Sequence, residues 1–150
     1  MSYLTDEEWE TVVTKMPMPS VDLVITDEAG ERVLLGRREN RPAKHTWFVP
    51  GSRLLKGERI VEAVERIAHE ECGLEVAIEQ PLGWYEHIYE SSDVDPDVGK
   101  HYIPIAFHVT MTGGRVKADD QHGDLRWFHE IPKATHHYTQ EYLTDAGVPE

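Results

Sequence analysis

The sequence predicts an α/β domain, an α/β/α sandwich with a mixed central sheet. Three observations carry this expectation. Strand-like runs stand both before and after one strongly amphipathic helix, and further helical segments open and close the chain. The first two strands are joined by a tight turn as a hairpin, whereas later ones must cross over, which mixes parallel with antiparallel pairs. The 150 residues suit a single domain, 1–150, and no composition shift marks a boundary.

Thr5 to Glu8 fits a capping box that opens a helix running to about Lys15. Trp9, Val12 and Val13 form its apolar face, with Trp9 read as core, and Pro17 and Pro19 end it. Ser20 to Thr26 reads as a strand, Asp27 to Gly30 as a turn, and Glu31 to Arg37 as the returning strand. Asp22 interrupts the first of these, and its pattern fits a solvent-facing residue as well as a functional one. Three arginines, Arg37, Arg38 and Arg41, then precede a short strand, His45 to Pro50.

The chain is organised around Gly51 to Leu74, a loop followed by a helix from about Glu58 to Cys72. Gly73 is a natural left-handed stop. Ile60, Val61, Val64, Ile67 and Ala68 make one buried face. At about 100° per residue, Glu71 falls close to Ile60, Val64 and Ile67. A carboxylate on that stripe requires a partner or a metal, unless it reaches past its neighbours to water. Glu70 sits at the stripe's edge, one turn after Arg66.

Beyond the helix, Val76 to Tyr89 is strand-like with a break near Pro81 to Gly83. Ser91 to Lys100 is an acidic, turn-rich loop expected to be mobile. His101 to Thr110 is a strand in which Pro104 suggests an edge or a bulge. Gly113 and Gly114 suggest a turn, Asp124 to Phe128 a last strand, and Thr139 to Asp145 a closing helix.

Composition, with 39% hydrophobic and 29% charged residues, belongs to the soluble globular class. No apolar run reaches membrane-span length, and the N-terminus lacks a basic-then-apolar signal. The single cysteine, Cys72, excludes an internal disulfide and fits a reducing cytoplasm. A net charge of −13 argues against nucleic-acid or membrane partners, which need local positive potential. Such acidity maintains solubility, or suits a salt-rich cytoplasm in which self-repulsion is screened. Within that field, Arg37, Arg38, Arg41 and Arg53 around the loop form a positive island suited to phosphate.

The helix segment resembles the Nudix box, G-x5-E-x7-R-E-U-x-E-E-x-G-U with U apolar. Glu58, Arg66, Ala68, Glu70, Glu71, Gly73 and Leu74 fall into register. Ser52 replaces the opening glycine, and Ile67 replaces the first glutamate of R-E-U, which removes a carboxylate from the metal cluster most Nudix enzymes use. The same loss marks the GDP-mannose mannosyl hydrolase branch, which the chain resembles over nearly its whole length. Leu34 to Arg37, Asn40 to Pro42, Trp47 to Gly51, Glu86 to Tyr89, His101–Tyr102, Gln121–His122 and Arg126–Trp127 carry that resemblance.

The resemblance implies a Nudix-like fold and the following roles. The Gly51 carbonyl, Glu71 and Gln121 would bind one Mg²⁺ with the diphosphate, all three being hard oxygen donors. Arg37, Arg53 and Tyr102 would hold the leaving diphosphate, and Asp22 and His87 would contact the sugar. His122 would be the general base. The implied reaction is hydrolysis of a nucleoside diphosphate sugar, GDP-mannose or GDP-glucose, to GDP and free hexose by a homodimer. Two other readings stand beside it. Glu70 and Glu71 together suit an ordinary pyrophosphohydrolase acting at phosphorus. Ser52 and Ile67 suit a domain that binds a nucleotide sugar without cleaving it.

Overall fold

A computed structural model describes residues 3–39, 43–116 and 122–148, without the side chains of 122 and 123. In chain order the elements are α1 (Asp6–Lys15), β1 (Met18–Thr26), β2 (Val33–Arg38), β3 (Trp47–Phe48), β4 (Gly51–Arg53) and α2 (Ile60–Cys72). There follow β5 (Leu74–Trp84), β6 (His87–Tyr89), β7 (Lys100–Gly114), β8 (His122–Phe128) and α3 (His137–Asp145). They form the expected α/β sandwich around a mixed sheet, ordered β3-β2-β1-β7-β5, with β4 beside β1, β6 beside β7 and β8 beside β2. The central pair β1–β7 is parallel from Met18↔Tyr102 to Thr26↔Thr110.

β1 shows why the sheet is covered on both sides. Val21, Leu23 and Ile25 pack with Ala63, Val64, Ile67 and Ala68 of α2. Val24, one residue out of phase, packs with Tyr142 and Leu143 of α3. Alternation along a strand therefore turns Asp22 to the α3 side. Ile67, which stands where the Nudix box has a glutamate, is fully buried. A buried side chain of that size contributes about 1.5–3 kcal/mol, so the departure from the box adds to the core.

Local signals behave as expected at the helix ends. Thr5 caps α1, accepting from the Glu8 amide at 3.2 Å while Glu8 accepts from the Thr5 amide at 2.9 Å. Gly73 ends α2 at φ 75°. The helix starts two residues after the expected Glu58, because Glu58 is spent in the turn before it. Its amide donates to the Leu55 carbonyl at 3.0 Å and its carboxylate accepts from the Leu55 amide at 3.1 Å.

β1 and β2 pair antiparallel as the expected hairpin, at Thr26↔Val33; four other expectations are corrected by long-range contacts. β2 then pairs with β8, and β1 takes β4 and β7. Pro104 lies inside the sheet rather than at an edge, paired with Ser20. Its missing N–H is tolerated at the seam between β5 and β6, where its carbonyl accepts from the Tyr85 amide at 2.9 Å. Gly113 and Gly114 still belong to β7, and a Cβ on Gly114 would come within 2.3 Å of the Gly73 carbonyl oxygen. The loop after β6 is pinned rather than loose, through Asp93 to Lys100 at 2.6 Å and to the Trp9 indole N–H at 2.9 Å. Trp9 accordingly lines a cleft instead of filling the core. No helix among the described residues is long and apolar enough to cross a membrane.

Candidate active site

A cleft of about 430 Å³ opens on the α3 side of the sheet, between α1, the start of β1, β4 and the β6–β7 region. It brings together Asp22, Gly51, Arg53, His87 and Tyr102, five of the residues that the sequence singled out. Strand register explains part of this convergence. Asp22 is paired with Gly51 in the antiparallel β1–β4 ladder, and His87 with Tyr102 across β6–β7. Gly51 has no room for a side chain, because a Cβ there would sit 1.9 Å from Asp22 Oδ1. The glycine thus lets the carboxylate lie directly on the backbone of the loop.

The Tyr142 hydroxyl donates to Asp22 Oδ2 at 2.6 Å. Burial raises the Asp22 carboxyl to about 6, against the opposing effects of that hydrogen bond and of Arg38. His87 is buried and stacks on Tyr138 at 3.9 Å between ring centroids. Its own burial, reinforced by His136 and His137, lowers it to about 4, so the ring is neutral at pH 7. Its Nε2 has no hydrogen-bond partner among the described residues, which leaves a polar atom available to a ligand hydroxyl. Burial pushes the Tyr102 phenol up to about 12, which keeps it a donor.

Arg37 stands apart from these residues. It is exposed, with its guanidinium 5.9 Å from the Trp47 ring centre, and it does not line the cleft. Its neighbour Arg38 does, with its guanidinium 5.2 Å from the Phe48 ring centre. Successive residues on a strand face opposite sides, which separates the two guanidinium groups. Lys100 is a further cation that sequence reasoning did not place there. It is buried, paired with Asp93, with its ammonium 5.0 Å from the Trp9 and 5.7 Å from the Tyr102 ring centre. A lone lysine heading an apolar strand was the only signal for it.

The helix carboxylates divide their tasks. Arg66 donates to Glu58 at 2.7 Å and to the Arg53 carbonyl at 3.0 Å, locking the end of β4 onto α2. Glu70 is half-exposed and faces Arg66 at 4.0 Å, as its position one turn later implies. Glu71 is half-buried on α2 and is not part of the cleft wall. Among the described residues, no three His, Cys, Asp or Glu side chains converge as a metal cage. Gln121 lies outside the described residues. The His122 backbone pairs with Arg38 at the start of β8, and its side chain lies outside what is described.

Comparison with known proteins fits this geometry. The family model of the NUDIX domain matches residues 16–143. The low-salt glycan biosynthesis protein Agl8 of Haloferax volcanii is 45% identical over 93% of this chain and 88% of its own length. An ADP-ribose pyrophosphatase of Methanocaldococcus jannaschii is 35% identical over 78% of this chain and 66% of its own length. Among solved structures, a MutT NUDIX hydrolase from Burkholderia pseudomallei superposes with a TM-score of 0.68 at 26% identity, covering 87% of this chain and 98% of that one. Nudix hydrolases generally use divalent cations, and with its box, fold and cleft in place this chain belongs to the Nudix hydrolase family.

Proposed function

We propose that the protein hydrolyses a GDP-sugar, GDP-mannose or GDP-glucose, to GDP and the free hexose. The observation that carries this reading is the pairing, in one cleft, of Arg38 and Arg53 with the Asp22–Tyr142 pair and the neutral His87. The arginines suit a diphosphate, because guanidinium groups stay charged and offer paired donors. Asp22 and His87 suit sugar hydroxyls. The similarity to a glycan biosynthesis protein points the same way.

In this reading water attacks the anomeric carbon and His122 takes its proton. The bond from that carbon to the diphosphate oxygen breaks, and the electron pair leaves with GDP. Arg38, Arg53 and Tyr102 offset the charge that develops on the leaving group. Gly51, Glu71 and Gln121 hold Mg²⁺, which supplies further charge stabilisation there when bound. Arg38, which lines the cleft, takes in this reading the place that the resemblance gave to the exposed Arg37. The enzyme works in the cytoplasm as a homodimer.

The ADP-ribose pyrophosphatase relative favours a second reading, attack at phosphorus. Hydrolysis in ¹⁸O-labelled water separates the two. The label is expected on the hexose, with GDP as co-product. Label on a phosphate, with GMP and a sugar 1-phosphate, would establish the second reading instead. The arginine pair supplies an independent check. Arg38→Ala is expected to raise KM for the diphosphate substrate by about tenfold or more, the scale of one charge-assisted hydrogen bond. Arg37→Ala should change it less than about twofold, and steady-state kinetics of the two variants would expose a reversed assignment.

A further inference from the structure

Asp22 and His87 reach the cleft from β1 and β6, two strands that each pair with β7 rather than with one another. A strand sets the face on which a side chain emerges, but not its rotamer. For both residues the rotamer is held from outside the sheet, by α3. Two tyrosines of that helix, Tyr138 and Tyr142, stand one turn apart on one face, and each meets one of the two cleft groups.

Tyr142 is 1% exposed, and its hydroxyl donates to Asp22 Oδ2 at 2.6 Å. A bond this short to one carboxylate oxygen fixes the carboxylate plane and leaves Oδ1 to accept from a ligand. The same ring lies 5.3 Å from the His87 ring between centroids. Tyr138 is not part of the cleft wall, so it acts only through what it holds. Its ring stacks on His87 at 3.9 Å and 7° from parallel. Its hydroxyl accepts from the Ile88 amide at 3.0 Å and donates to the Ile88 carbonyl at 3.1 Å. One side chain thus fixes both the plane of the imidazole and the backbone of the next residue, in a strand only three residues long.

We propose that Tyr138 and Tyr142 are positioning residues that aim His87 and Asp22 at the hexose, so that α3 serves the sugar half of the substrate. Their effect is confined to that half, because the diphosphate is assigned to Arg38, Arg53 and Tyr102, which neither tyrosine holds. This inference rests on the reading of the substrate as a nucleoside diphosphate sugar.

The test sets kcat/KM for GDP-mannose against Kd for GDP, which lacks the hexose, in the full chain with Mg²⁺. Tyr142→Phe keeps the buried ring and removes only the donor. It is expected to lower kcat/KM about tenfold or more, the scale of a hydrogen bond to a charged group, while Kd for GDP stays within about twofold. Tyr138→Leu removes the stack and both backbone bonds, and the same split is expected, because a small misplacement of a contact group is costly. Tyr85→Phe is the control. The Tyr85 hydroxyl donates to Asp145 at 2.6 Å, so it too ties α3 to the sheet, but Tyr85 lies outside the cleft wall. In that variant kcat/KM should stay within about twofold. Tyr138→Leu carries the test if Tyr142→Phe, which strands a carboxylate oxygen, loses its cooperative melt. Loss of GDP affinity in step with kcat/KM would mean a general loosening of the fold and would overturn the inference. So would an equal loss in Tyr85→Phe, or an unchanged kcat/KM in either α3 variant. Failure of the wild type to turn over GDP-mannose or GDP-glucose would overturn the substrate reading itself, and this inference with it.

Discussion

Arg66→Met is expected to destabilise the fold by about 3–5 kcal/mol, the cost of leaving one partner of a buried ion pair alone. The Arg66 and Glu58 side chains are 9% and 1% exposed, and two nitrogens of the guanidinium reach the two carboxylate oxygens at 2.7 and 3.2 Å. The same guanidinium donates to the Arg53 carbonyl, so its removal strands a carboxylate and frees the end of β4 at once. For a domain of this size the melting temperature should fall by roughly 10 °C. Glu58→Gln, alone and combined with Arg66→Met, completes the cycle, and purely additive losses would show that the pair is not the source.

The pH dependence has a definite sign. Burial opposes ionisation of Glu58, but Arg66 and the Leu55 amide outweigh it and hold the carboxyl below its ordinary 4.5. A lowered folded value means that the pair's contribution is fully present above about 4.5 and is lost as pH falls through the folded value. The gap in stability between wild type and Arg66→Met should therefore narrow in acid. A gap that stays constant from pH 7 to pH 3 would rule out Glu58 as the stranded charge.

His122→Gln is expected to cut turnover of GDP-mannose by about two or more orders of magnitude, the range for loss of a general base. GDP affinity should stay within about twofold, because in the proposed mechanism the diphosphate is held by Arg38, Arg53 and Tyr102. The strand register pairs the His122 backbone with Arg38, whose side chain lines the cleft. Near-normal turnover in the variant removes His122 from the mechanism.

Much of the domain was legible in sequence because its signals are local. The Thr5 capping box, the Gly73 stop and the apolar stripe of α2 each depend on spacings of a few residues, and each appears where expected except that Val61, read as part of the stripe, is 53% exposed. So does the approach of Glu70 to Arg66, which follows from one helical turn. The family pattern named Asp22, Gly51, Arg53, His87 and Tyr102, and the fold brings those five together.

What only the tertiary structure decided are contacts between distant segments. Tyr142 meets Asp22 across 120 residues, and Trp9 meets Asp93 across 84. Nothing local specifies such pairs. The exchange of Arg37 for Arg38 has the same origin. A strand's side-chain period is two, so a shift of one residue transfers a side chain to the other face. Which face meets the cleft depends on pairing with β3 and with β8, the latter far along the chain. Sequence by itself determined the helices and the family. The phase of the strands, and with it the roster of cations in the cleft, was decided by sheet register, where distant backbone groups must find partners together.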